Sequence, residues 1–125
     1  MVSHDLARRA YGVNAAPTRS PRTLEYDAIA QVTRQLKTAA DLGDKGFSEL
    51  AKAIHENRRL WALFASSVAD DDNALPAELR AQLFYLAEFT NVQSSKVLAG
   101  QAGVQPLLEV NTAILRGLRA ERQAA

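Results

Sequence analysis

Apolar residues recur every three or four positions along most of this chain, and no stretch alternates with a period of two. The α-helical repeat gathers such positions on one side, so the pattern predicts helices and no strands. The most regular stripe is Phe47, Leu50, Ile54, Asn57, Trp61, Phe64 and Val68, whose alternating steps of three and four make a narrow heptad seam. A second runs through Leu79, Leu83, Leu86, Thr90 and Val97, and a third through Ile29, Val32, Leu36 and Ala39. The last uses Leu107, Asn111, Ile114 and Leu118, with Leu108 and Leu115 alongside.

Punctuation sets the bounds of these stripes. Pro21, Pro76 and Pro106 each stand just ahead of a periodic segment, where a missing N–H costs nothing. Glu25, Glu78 and Glu109 follow within about a turn and complement the helix dipole. Ser20 offers a cap, and Gly43 and Gly100 fall where helices should stop. Helices are predicted over roughly 21–42, 47–70, 76–99 and 105–120. The loops "GDKG", "DDDNAL" and "GQAGV" are short, which favours antiparallel neighbours. The predicted fold is therefore all-α: an antiparallel four-helix bundle with a short, partly helical N-terminal arm. Residues 1–19 form the arm, 20–120 the bundle domain and 121–125 a C-terminal tail. The stretch "YGVNAAPTRSPR" is rich in turn formers and should not extend a helix. With Tyr11 as its aromatic anchor, the arm is expected either to be mobile or to dock on the bundle.

Polar residues interrupt the stripes at a few places. Asn57, Asn111 and Thr90 sit on apolar seams, and Glu25 extends the first seam by one step. A buried carboxamide needs hydrogen-bond partners, and such residues usually fix register. Contact with a ligand is the alternative for Asn57 and Asn111. A carboxylate this near a seam is costly unless paired, so Glu25 is expected to meet Arg58 or Arg59 of the next helix.

Composition narrows the function. The chain has 125 residues, enough for one domain and one core, with a formal charge of +1. That balance provides no long-range field for collecting nucleic acid or anionic lipid. With no cysteine there is no disulfide or thiolate chemistry. No apolar run reaches the ~18 residues that span a bilayer, and charges stand where a signal peptide would be apolar. A cytoplasmic protein without membrane insertion is expected.

Candidate chemistry is sparse. His4 and His55 are far apart and lack partners at metal-ligand spacing, and "DDDN" lacks the rest of a calcium loop. No nucleophile elbow or phosphate loop is present, so no cofactor and no enzymatic turnover are expected. The stretch "HENRRLW", residues 55–61, invites comparison with phosphotransfer bundles, because His55 lies just off the seam and Arg58 follows. Glu56 beside it opposes a phosphate, and a plain surface histidine is the better account. Arg8, Arg9, Arg58, Arg59, Arg116, Arg119 and Arg122 could touch RNA phosphates, yet acids interleave them and no exposed aromatics are expected to accompany them.

Taken in order, "SPRTLEY" at 20–26, "QVTRQL" at 31–36, "NRRLW" at 57–61, "LPAELRAQL" at 75–83 and "VNTAILRGL" at 110–118 resemble FlaF, the small flagellar biosynthesis regulators of alphaproteobacteria. The likeness spans Tyr11 to Leu118. It implies a protein needed for normal flagellin production and export, acting alongside the regulator FlbT and binding flagellin in a chaperone-like way. The alternative is a post-transcriptional regulator that contacts flagellin mRNA directly or through FlbT. An amphipathic flagellin segment would suit a groove between bundle helices. Candidate partner-binding residues are Tyr11, Glu25, Asn57, Arg58, Arg59, Trp61 and Asn111; no catalytic or metal site is expected.

Overall fold

In the computed structural model the described residues are 21–70 and 75–124, with side chains described over 26–70 and 75–119. Four α-helices account for most of them: α1 (Pro21–Asp41), α2 (Phe47–Ala69), α3 (Ala77–Leu98) and α4 (Gln105–Ala124). One 3-10 turn, Gly43–Gly46, joins α1 to α2. No strand occurs among the described residues. The arm 1–19, the Ser20 cap and Asp71 to Asn73 of the acidic loop lie outside them. The fourth helix continues to Ala124, beyond the end expected near residue 120.

The helix ends follow the local chemistry. α1 begins on Pro21, Pro76 immediately precedes α3, and Pro106 is the second residue of α4. Gly43 (φ 65°) and Gly100 (φ 73°) adopt the left-handed conformation just past α1 and α3, which a side chain would oppose. Gly46 serves a different need. A Cβ there would lie 2.5 Å from Leu42 Cβ and 2.9 Å from the Ala39 carbonyl oxygen. Only a residue without a side chain lets the 3-10 turn lie this close to the end of α1.

Neighbouring helices run antiparallel. Arg58 of α2 reaches Asn91 and Ser95 of α3, while Ala65 lies across from Phe84. Tyr26 near the start of α1 meets Arg119 near the end of α4. α2 packs on both α1 and α3, α1 also packs on α4, and the α3–α4 contact is the least extensive. α2 and α4 face each other across the bundle.

The core is built in layers. Leu36, Ala53, Ile54, Val97, Leu107 and Leu108 form an apolar cluster at one end, with Val32, Leu50, Leu98 and Val104 packed around it. Asn57, Ser94 and Asn111, each fully buried, come next toward the other end, followed by Trp61, Thr90 and Ile29. Trp61 meets Phe64 edge-on, ring centroids 5.5 Å apart. Burial of such large side chains supplies the main drive to fold, on the order of 1.5–3 kcal/mol each.

Several residues placed on apolar seams are only half-buried, among them Val32, Leu50, Phe64 and Leu83, and two are exposed. Phe47 is 54% exposed and Leu79 40% exposed. Both begin helices: Phe47 is the first residue of α2, and Leu79 lies in the first turn of α3. A stripe is buried only as far as the neighbouring helices extend, and these positions lie at its ends.

Candidate functional site

The polar residues of the seams are joined in the bundle interior. The Trp61 indole N–H donates to Asn111 Oδ1 at 2.9 Å, and Asn111 Nδ2 donates to Asn57 Oδ1 at 2.8 Å. All three side chains are shut off from solvent. One carboxamide thus accepts from α2 and donates back to it a turn away, fixing α4 against α2 in rotation and height. Of the residues proposed as partner contacts from the sequence, Asn57 and Asn111 are fully buried in this link between helices, while Trp61, also bonded within it, borders a cleft between α2 and α3.

Arg58 leaves the seam for the surface between α2 and α3. Its guanidinium donates to the Asn91 carbonyl oxygen at 2.7 Å and to Ser95 Oγ. Arg59 instead pairs within its own helix, with Glu56 Oε1 at 3.1 Å. The expected pairing with Glu25 cannot be placed, because the Glu25 side chain lies outside the described residues, as does Tyr11. Both candidate arginines nevertheless have partners of their own. His55 is exposed, consistent with its position beside the seam. Arg119 donates to the Tyr26 hydroxyl at 2.7 Å, with its guanidinium carbon 5.9 Å from the ring centroid.

Between α2 and α3 a cleft of about 320 Å³ opens beside Arg58. Ala62, Ala65 and Ala87 leave the space that longer side chains would fill, and Trp61, Phe84 and Thr90 complete its lining. Glu88 and Asn91 border it together with Arg58. On the opposite side of α2, a second and wider groove against α1 has a mostly apolar floor, to which Ala39, Leu42 and Ala53 contribute, bordered by Arg34, Glu49, Lys52 and Glu56.

α3 differs from the other helices in carrying large apolar residues around much of its circumference. Phe84 is 48% exposed, Tyr85 70% and Val92 52%, in addition to Leu79. Tyr85 and Val92 are two turns apart and share the face turned away from the core. This surface was not apparent from the stripes, because stripe analysis asks only which positions repeat toward one side. The useful signal was the surplus: "LFYLAEFTNV" holds more apolar residues than one face can bury. Ser94 was missed for the opposite reason. It fits the spacing between Thr90 and Val97 and is fully buried, but a hydroxyl is not counted as apolar.

Among the described residues, no group of three or more His, Cys, Asp or Glu side chains is placed to hold a metal ion. No helix among them is long and apolar enough to cross a membrane. The surfaces present are an aromatic and alanine-lined cleft and an apolar helix face, both suited to gripping side chains of another segment.

Comparison with known proteins adds one match. No curated protein and no solved structure is similar to the chain. The sequence profile of the family described as flagellar protein FlaF matches residues 7–118, which takes in all of α1, α2 and α3 and most of α4. The five motifs that carry the resemblance fall inside that span, in order. The chain belongs to the FlaF family.

Proposed function

We propose that this protein is a non-enzymatic regulator of flagellar biosynthesis that works in the cytoplasm by binding flagellin through its amphipathic terminal segments. The observation that carries the proposal is the apolar surface of α3, with Phe84, Tyr85 and Val92 largely open to solvent. Single exposed apolar residues are ordinary on protein surfaces, but several on one helix mark a contact site. A flagellin segment whose apolar face awaits its filament partners is a fitting occupant for such a helix. Laying that segment against α3 would bury both apolar faces and hold the subunit in an export-ready form.

Titration of flagellin into the full-length protein, at low and at high salt, tests this. Apolar docking should survive added salt with little loss. Contact with flagellin mRNA would weaken steeply, because each phosphate contact releases a counterion when it forms. Tyr85→Asp and Val92→Asp should each reduce flagellin affinity while leaving the fold intact. Absence of a flagellin complex at any salt concentration would refute the proposal. Retention of the mRNA or of FlbT in its place would assign the regulation to another partner.

A further inference from the structure

The outward face of α3 carries a repeat of its own. Ala81, Tyr85, Glu88, Val92 and Ser95 follow alternating steps of four and three, the spacing of a heptad seam, and all five are exposed. At about 3.6 residues per turn their mean direction is opposite to that of Leu83, Leu86, Thr90, Ser94 and Val97, which face the bundle. The helix therefore has two seams, and the bundle covers one of them.

The order of side chains along the outer seam selects what can cover it. Its middle is large and apolar, with Tyr85 70% and Val92 52% exposed, and Ala81 and Ser95 to either side are small. Glu78 stands in the first turn of the helix and Lys96 in the last. Both are exposed, and neither is in an ion pair among the described residues. They are 18 positions apart, about five whole turns, so they lie on the same flank of the seam. The face is thus negative at one end, positive at the other and apolar between. A copy of the same helix laid antiparallel presents the matching order, with opposite charges together at both ends. A two-fold axis keeps like flanks adjacent, so Glu78 and Lys96 fall on the same side of the contact. A parallel copy would put like charge against like.

We propose that two copies of the chain pair through α3, antiparallel about a two-fold axis, on the face turned away from each bundle. In the register that interlocks the seams, Val92 seats over Ala81 of the second copy. Tyr85 lies beside Glu88 of the second copy, whose carboxylate accepts from the phenol hydroxyl, and Glu78 meets Lys96 at both ends. The bundles lie on opposite sides of the paired helices and do not obstruct one another. α3 has 22 residues, a length of about 33 Å. A contact of one helix per chain lies at the lower end of specific interfaces, so the dimer is a weak, exchanging one. The pairing concerns the chain alone and stands or falls apart from the flagellin reading. One consequence does rest on that reading: the dimer is a reserve form whose docking face stays covered until flagellin displaces the second copy.

Sedimentation equilibrium of the full chain, without flagellin, reads the association directly. The average mass should rise from one chain toward two as the concentration goes from micromolar to millimolar. Glu78→Lys and Lys96→Glu should each weaken association by about five- to tenfold, because each turns two attractive pairs into two repulsive ones. The double variant should restore it, since the charges are then merely exchanged. Tyr85→Ala should weaken it by about tenfold or more. Far-ultraviolet circular dichroism checks that each variant keeps its helices, and Glu78→Gln or Lys96→Gln replaces a reversal that does not. A chain that stays monomeric throughout the range would overturn the proposal. So would a dimer indifferent to both reversals, the result expected of a parallel pair or of contact through another surface. A double variant that associates no better than the singles would overturn it as well.

Discussion

Replacing Asn111 by leucine keeps the branched shape of the side chain while exchanging its oxygen and nitrogen for methyl groups. Two hydrogen bonds disappear, from the Trp61 indole at 2.9 Å and to Asn57 Oδ1 at 2.8 Å. Both former partners are fully buried and lose their contact together. Each orphaned group costs about 1–3 kcal/mol, so the pair costs roughly 2–6 kcal/mol. The added apolar surface returns about 1.5–3 kcal/mol. A net loss of roughly 1–3 kcal/mol is expected, a large part of the ~5–15 kcal/mol typical of a domain. In urea the unfolding midpoint, followed by far-ultraviolet circular dichroism, should fall by about 1 M. Asn57→Leu should be destabilising in the same way. The double variant should lose less than the sum of the two, because only the Trp61 N–H is then left without a partner. An Asn111→Leu protein as stable as the parent, or strictly additive losses, would refute the view that these residues act as one unit.

Gly46→Ala should destabilise the turn between α1 and α2 by about 1–3 kcal/mol, the usual cost of overpacking, since its Cβ would lie 2.5 Å from Leu42 Cβ. A thermal midpoint equal to the parent's would show that the turn adjusts freely. Arg58→Ala removes the links to Asn91 and Ser95 and should cost about 1 kcal/mol, with faster amide exchange over the middle of α3 as its signature. His55→Ala, on an exposed position, should change stability by less than about 0.5 kcal/mol in the same melt. Removing residues 1–19 should leave the helical circular dichroism signal of the bundle in place but change flagellin affinity, as read by titration; identical affinity would exclude the segment from recognition.

Much of this architecture is written in local chemistry. Proline and glycine determine where the helices start and stop, because one lacks an N–H and the other tolerates positive φ; neither property depends on distant residues. The heptad stripe of α2 likewise marks Asn57 and Trp61 as inward-facing, since 3.6-residue geometry alone places them beside Ile54. Asn111 could be assigned to the interior on the same grounds. That these residues bond to one another could not, because α2 and α4 lie 54 positions apart at the Asn57–Asn111 contact and meet only across the assembled bundle. The partner of Arg58 was also decided in three dimensions: a long side chain reaches whichever acceptor packing brings near, here on α3. Phe47 and Leu79 show the same limit from the other side. Periodicity gives the direction in which a side chain points, but whether another helix extends far enough to cover it depends on how the helices are stacked. The cleft beside Thr90 and the open face of α3 follow from that stacking, because both are surfaces that the neighbouring helices leave uncovered.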